Sequence, residues 1–171
     1  MAKSVQLGSH DILIDPPPLR ELVFRMMTAF NAGPTPGDSN ESSKVLSSDD
    51  ESQTVEFKSK AGFITYTSVE KVTLDAPKRI TFNHLSGPLH YACDEFVLED
   101  RDGLTLLSHH GEIIWSCLPF VGWFGTVVYT RPMFNRVVSR HMEIIKTAAE
   151  ARAARSHVFR RKPKTEPTDE T

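Results

Sequence analysis

The chain has 171 residues, which is enough for one domain with a substantial core, and its 39% hydrophobic and 25% charged residues fit a globular protein. A formal net charge of −2 gives no electrostatic argument for nucleic-acid binding, because that function needs a concentrated basic face. Two cysteines, Cys93 and Cys117, do not make a disulfide framework. The N-terminus lacks the apolar core of a signal peptide, so we expect a cytoplasmic protein.

The first predicted elements are a strand and a helix. A strand-like run occupies residues 5–14, and Asp15 then precedes three prolines, which is a typical helix start. From Leu19 onward, apolar residues recur at helical spacing for about three turns. The Gly33–Pro34 pair should end this helix, because proline cannot continue it.

Residues 33–52 differ in composition from the rest of the domain. Glycine, proline, serine and acidic residues dominate, and Val45 and Leu46 are almost the only apolar side chains. Such a segment buries too little apolar surface to offset the entropy lost on ordering. We expect a mobile polar loop here, with at most a short strand at residues 44–47.

Five strand-like runs follow, and turn-length gaps separate them. Alternating polar and apolar residues, together with many β-branched ones, predict strands rather than helices. Closely spaced strands of this kind form an antiparallel meander, not parallel βαβ units. The predicted runs are residues 54–60, 63–74, 79–85, 89–99 and 104–115.

The last predicted element is a long helix that starts near Pro132, keeps one apolar stripe, and runs to about Ser156. The preceding residues 113–129 are largely apolar, but prolines and glycines interrupt them, so we expect a buried or lid-forming segment and no membrane span. Residues 159–171 should form a disordered tail, which leaves residues 1–158 as one domain.

The predicted order of elements defines an α+β fold. A sheet with one apolar face must bury that face, and the elements available here are its own curvature and the C-terminal helix. We therefore expect a curved antiparallel sheet wrapped around the long C-terminal helix, with a short helix after the first strand. A cavity readily remains between a sheet and a helix packed in this way.

This pattern resembles the START-like superfamily, also called SRPBCC, whose fold is the helix-grip. The resemblance is to bacterial members labelled polyketide cyclase/dehydrase or lipid-transport proteins. Four segments carry it: Ile12–Pro17, Ser68–Ile80, the turn before Gly103, and Ala148–Ser156. It implies a deep apolar cavity for hydrophobic ligand or lipid binding, and it supplies no shared catalytic residues. Members commonly have a second short helix, whereas residues 33–52 here predict a polar loop.

Aromatic residues concentrate between the last strand and the last helix. They form either ordinary core or the mouth of the cavity that the resemblance implies, and such pockets are mostly apolar with a few placed polar groups. Trp115→Ala or Trp123→Ala should then weaken ligand binding more than His84→Ala. The candidate ligand-binding residues are Tyr66, His84, His109, Trp115, Trp123, Phe124 and Phe134.

The sequence assigns neither a metal site nor a cofactor. His109 and His110 are adjacent on a strand, so their side chains should point to opposite faces and cannot share an ion. There is no glycine-rich phosphate loop and no nucleophile motif. Histidine could still act as a general base with a carboxylate partner, but the sequence shows no fixed partner for any candidate, so the catalytic residues stay unknown. The candidates are His84, His90, His109, Glu95 and Glu112.

Three functions stay open at this point, and whether the protein is an enzyme is undecided. The first is binding or carriage of an apolar small molecule, such as a lipid or polyketide. The second is a polyketide cyclase/dehydrase-type enzyme that uses a cavity histidine, tyrosine or carboxylate as general acid or base. The third is a protein-interaction module that uses residues 123–124, expected to be exposed, together with the polar loop at residues 33–52. A histidine bonded to a second polar group inside the cavity would favour catalysis, and an isolated polar contact would favour binding.

Overall fold

A computed structural model describes residues 5–15, 20–31, 41–61, 64–87, 91–114, 127–128 and 131–160. These residues form strands, a short helix and a long C-terminal helix. In chain order they are β1 (Val5–Gln6), β2 (His10–Ile14), α1 (Arg20–Met27), β3 (Glu41–Ser48), β4 (Ser52–Ala61), β5 (Ile64–Asp75), β6 (Arg79–Ser86), β7 (Tyr91–Arg101), β8 (Leu104–Ile114) and α2 (Arg131–Arg160).

The described strands pair into one antiparallel sheet. Strands β3 to β8 follow one another as a meander, and β8 then pairs with both β1 and β2 at the far edge. Between β7 and β8 the chain turns at Asp102 and Gly103, with φ angles of 52° and 80°. Glycine adopts positive φ without steric cost, which suits a tight hairpin. The predicted α+β helix-grip fold and its antiparallel meander are confirmed.

One face of the sheet carries the core, because side chains alternate between faces along each strand. The apolar residues of this inner face that are 1% exposed or less come from six strands. They are Ile14, Val55, Val72, Ile80, Leu98, Leu107 and Ile113. Helix α1 adds Val23 and Phe24 to this core, and α2 adds Val138, Met142, Ala149 and Ala153.

Helix α2 is fixed to the β1–β2 edge of the sheet by hydrogen bonds as well as by apolar packing. Near its start, Asn135 Oδ1 accepts a hydrogen bond from the backbone N–H of Gly8 at 3.2 Å. Four turns later, Glu150 Oε1 accepts one from the N–H of Asp15, also at 3.2 Å. Because these contacts lie at both ends of β2, the inner face of that strand is held against the helix.

Strand β3 differs from the polar loop predicted over residues 33–52. Residues 41–48 form an edge strand paired with β4, which includes the short strand expected at 44–47. Backbone hydrogen bonds to β4 stabilise it, and Asn31 Oδ1 accepts a further bond from the N–H of Val45 at 2.8 Å. Composition gave only the residues 44–47 of this strand, because an edge strand needs little apolar surface.

The helix boundaries also differ in detail from those predicted. Helix α1 ends at Met27, where the hydroxyl of Thr28 donates to the Phe24 carbonyl at 2.8 Å. Helix α2 continues to Arg160, four residues beyond the expected end. The predicted tail falls mostly on residues 161–171, which lie outside the described part of the chain. Among the described helices, none is both long and apolar enough to span a membrane.

Candidate functional site

A row of aromatic rings crosses the inner face of the sheet. Phe57 on β4, Phe82 on β6 and Phe96 on β7 follow one another, with ring centroids 6.1 and 5.9 Å apart. Phe30, just after α1, contacts the first two edge-on at 5.7 and 6.3 Å. At the other end, Phe134 of α2 approaches His109. We call Phe30, Phe57, Phe82, Phe96 and Phe134 the aromatic row.

The aromatic row is less buried than the aliphatic core beside it. All five rings are only partly buried, whereas Val72 and Ile80 on the same face are fully buried. Part of each ring is therefore exposed to solvent although the rings point to the core side of the sheet. Sites for small molecules are lined mainly by apolar and aromatic side chains, and the aromatic row offers such a surface.

His109 of β8 lies at the end of this row and is 1% exposed. Its ring packs on Phe96 with centroids 4.7 Å apart, and its Nε2 lies 3.0 Å from Asp94 Oδ1. Gly111 explains how Asp94 reaches it. Asp94 pairs directly with Gly111 across the strands, and a side chain at Gly111 would collide with the carboxylate. The missing side chain thus leaves room for the hydrogen bond between Asp94 and His109.

His10 of β2 is the residue directly opposite His109 across the strand pair. The two imidazole rings are 6.2 Å apart and tilted by 30°. His10 Nδ1 lies 3.1 Å from the hydroxyl oxygen of Ser139 on α2. The set His10, Asp94, His109 and Ser139, which we call the histidine cluster, therefore joins the sheet edge to the helix.

Each histidine of the cluster has one ring nitrogen without a hydrogen-bond partner among the described residues. These two nitrogens, His109 Nδ1 and His10 Nε2, are buried. Leaving a buried polar atom unpaired costs about 1–3 kcal/mol. Buried polar atoms in folded proteins normally have a hydrogen-bond partner, which can be a protein group, an ordered water or a ligand.

The structure brings only some of the predicted site residues together. His109 and Phe134 lie in the histidine cluster and the aromatic row. His84 and Tyr66 lie on the inner face by strand alternation, where His84 is half-buried and Tyr66 is 39% exposed. The remaining candidates, Trp115, Trp123 and Phe124, lie outside the described residues, and so does the segment that the interaction-module hypothesis depends on. Their ligand-binding roles stay predictions.

Strand alternation separates the predicted acid–base candidates. His110 is exposed while His109 is buried, which confirms that they point to opposite faces. Glu95 lies on the outer face, where Arg79 approaches it at 3.7 Å. The carboxylate that contacts His109 belongs to Asp94, which precedes Glu95 in the sequence. Among the described residues, no group of three or more histidine, cysteine or acidic side chains is placed to hold a metal ion.

Sequence reasoning missed several residues of this site. For two of them the sequence does contain a signal, because residues two positions apart in a strand lie on the same face. His10 shares a face with Ile12 and Ile14, and Asp94 shares a face with Phe96 and Leu98. The others needed the sheet register or the helix position. The missed residues are His10, Asp94, Ser139, Phe57, Phe82 and Phe96.

Two open depressions among the described residues lie elsewhere. One is bounded by Arg20 and the ends of β5 to β7, with a volume of about 380 Å³. The other lies between α1 and the Ala76–Pro77 turn, with a volume of about 590 Å³. Neither is lined by the aromatic row or the histidine cluster, so both are separate from the candidate site.

Comparison with known proteins identifies the class of fold. No family model and no curated protein sequence matches the chain. Among solved structures, the chain is similar to the Zhui aromatase/cyclase from Streptomyces sp. R1128, with a TM-score of 0.65, 19% identity, and coverage of 90% of this chain and 95% of that one. It is also similar to a START superfamily protein from Mycobacterium smegmatis, with a TM-score of 0.61, 13% identity, and coverage of 88% and 99%.

A third similar structure is Ara h 8.0201, with a TM-score of 0.57, 11% identity, and coverage of 87% of this chain and 97% of that one. Identities this low show the fold alone. The chain has the START-like, or SRPBCC, helix-grip fold, as the sequence resemblance implied.

Proposed function

We propose that this protein binds or carries an apolar, ring-containing small molecule between the inner face of the sheet and helix α2. The accessible aromatic row is the observation that carries this proposal, because aromatic rings favour offset or edge-on contact with another flat ring. Lipids and polyketides are the classes that the sequence resemblance suggested. The similar structures named as an aromatase/cyclase and a START protein support a ligand-holding role for this fold.

The expected affinity follows from the area that a ligand of this kind would bury. Roughly 300 Å² of apolar ligand surface contributes about 7 kcal/mol before other costs. Loss of translational and rotational freedom offsets several kcal/mol of this. About 3–4 kcal/mol then remains from apolar burial, which corresponds to a dissociation constant in the millimolar range, so tighter binding needs further contacts such as hydrogen bonds.

Native mass spectrometry of the purified protein is the first test. A stoichiometric apolar passenger, identified after denaturing extraction, would support the proposal and give the chemical class of the ligand. Titration with 2-methoxynaphthalene then tests the location. Phe82→Ala should weaken binding tenfold or more, while Leu85→Ala should leave it within twofold, because Leu85 is on the same strand but is 57% exposed. If Phe82→Ala and Leu85→Ala are both folded and weaken binding of 2-methoxynaphthalene equally, the proposed location is contradicted.

Acid–base chemistry is a second candidate, and the His109–Asp94 contact favours it. A histidine held by a carboxylate, with its second nitrogen free, is the arrangement of a general base oriented for proton transfer. The bond between a histidine and a second polar group is one part of what the catalytic hypothesis requires, and a cavity around them is the other part. A cyclase or dehydrase would use such a base to remove a proton beside a carbonyl.

Deuterium exchange tests this second candidate without knowledge of the natural substrate. The α-protons of 2-tetralone in D₂O can be followed by proton NMR with and without the protein. Catalysis predicts faster exchange than in buffer, loss of the acceleration in His109→Phe, and retention in His110→Gln. Exchange at the buffer rate, with 2-tetralone shown to bind, would leave ligand binding as the better supported function.

A further inference from the structure

The hydrogen bond to Asp94 fixes which nitrogen of His109 carries the proton. An ionised carboxylate has acceptor atoms only, so Nε2 of His109 must donate across the 3.0 Å contact. In a neutral imidazole the other nitrogen is then an acceptor. His109 Nδ1 is therefore a buried acceptor that has no donor among the described residues.

His10 supplies the complementary group when Ser139 donates to it. The serine hydroxyl can give its proton to His10 Nδ1 across 3.1 Å, which leaves the proton of a neutral His10 on Nε2. His10 Nε2 is then a buried donor without an acceptor among the described residues. The two unpaired nitrogens thus belong to facing rings and have opposite hydrogen-bonding character.

We propose that the histidine cluster recognises a hydroxyl group on a conjugated ring, a phenol or an enol, which donates to His109 Nδ1 and accepts from His10 Nε2. The inference rests on the proposed function and adds the chemical class of the ligand. A hydroxyl oxygen forms hydrogen bonds of about 2.8 Å, so two such bonds span up to roughly 5.6 Å. The rings of His10 and His109 are neighbours with centroids 6.2 Å apart, so a single hydroxyl group would have to bridge two adjacent rings.

The surroundings support a ring-bound hydroxyl rather than an isolated one. His109 packs on Phe96 at 4.7 Å and lies 6.4 Å from Phe134, so the cluster ends the aromatic row. A flat ring lying along the row would place its edge substituent at the two nitrogens. A ketone or an ether lacks the proton that neutral His109 Nδ1 requires, and it would leave that buried acceptor unpaired.

Paired ligands test this recognition. The ligands are 2-naphthol and 2-methoxynaphthalene, which share a ring system but differ in the proton on oxygen, and the measurement is calorimetric titration near pH 7. The quantity compared is the ratio of the two dissociation constants. We expect 2-naphthol to bind tenfold or more tightly than its methyl ether in the unmodified protein, and the same ratio in His110→Gln, whose side chain is exposed on the other face.

His109→Phe keeps an aromatic ring next to Phe96 and removes the acceptor, so its ratio should fall to within twofold of one. His10→Phe leaves the His109–Asp94 pair in place and removes the donor. Its ratio of dissociation constants should therefore lie between that of the unmodified protein and one. Continued binding of 2-methoxynaphthalene shows that each variant is folded.

A ratio near one in the unmodified protein, with both ligands bound, would overturn the hydroxyl inference and leave the proposed function intact. A ratio that stays at tenfold in both His109→Phe and His10→Phe would overturn it as well. Failure of both naphthalenes to bind the unmodified protein would overturn the proposed function, and the inference would fall with it.

Discussion

Replacing Gly111 with alanine tests whether the missing side chain is what lets Asp94 reach His109. A methyl group at this position would collide with the Asp94 carboxylate and would lie 2.7 Å from Leu7 Cδ1. The backbone there is ordinary β-strand, so alanine introduces no conformational strain of its own. The carboxylate must move, and its 3.0 Å contact with His109 Nε2 should be lost.

The expected cost combines three effects. Loss of a hydrogen bond to a charged group costs about 1.5–3 kcal/mol. Crowding against Leu7 adds about 1–3 kcal/mol, as is usual for an extra methyl group in a packed interior. Alanine in a strand recovers about 0.5–1 kcal/mol of backbone entropy relative to glycine. Urea denaturation should therefore show Gly111→Ala to be about 2–5 kcal/mol less stable than the unmodified protein.

A double-mutant cycle with Asp94→Ala separates these effects. With the carboxylate already removed, the added methyl group can crowd only Leu7 and the His109 ring, so its cost should fall by about 1.5–3 kcal/mol. Equal costs of Gly111→Ala with and without Asp94 would refute the reasoning that the glycine makes room for this pair. A cost below about 0.5 kcal/mol in both backgrounds would refute the crowding as well.

Two further predictions follow from shifted pKa values. The Ser52 hydroxyl, and then the backbone N–H groups of Glu51 and Ser52, hold the pKa of Asp49 below its ordinary value of 3.8. The stability that this contributes is present above about pH 3.8 and is lost as the pH falls through the lower folded-state pKa, so Asp49→Asn should flatten the acid side of a plot of Tm against pH. An unchanged slope would contradict this. Burial raises the pKa of the Cys93 thiol above 9.0, so iodoacetamide at pH 8 should modify Cys93 more slowly than a free cysteine peptide, as measured by peptide mass mapping. Labelling at the rate of the peptide would count against it.

The sequence predicted the sheet because its signals are local. Alternation along each strand, and turn residues such as those at Gly103, are enough to define hairpins between consecutive strands. The long apolar stripe of α2 likewise needs no tertiary information. Strand β3 was the exception, because backbone pairing with β4 rather than apolar burial holds that edge of the sheet.

The site could be predicted only in part because it depends on register and on distant contacts. His109 was a candidate from the sequence, but its partners were not. His10 lies opposite it only because β2 pairs with β8, and Ser139 reaches His10 from a helix 129 residues away in sequence. Asp94 shares a face with Phe96 and Leu98, but the sequence does not show the register of β7 and β8 that places Asp94 beside His109.

Ligand binding and acid–base catalysis would both use the same atom, Nδ1 of His109, so an experiment that blocks this atom can distinguish the two candidate functions. Both assign a task to the free Nδ1 of His109: it accepts a hydrogen bond from a bound hydroxyl, or it removes a proton beside a carbonyl. If the same nitrogen does both, 2-naphthol should inhibit the deuterium exchange of 2-tetralone competitively, with an inhibition constant equal to its dissociation constant. Accelerated exchange that saturating 2-naphthol leaves unchanged would place the base elsewhere in the protein, and His109 would then be a recognition residue only.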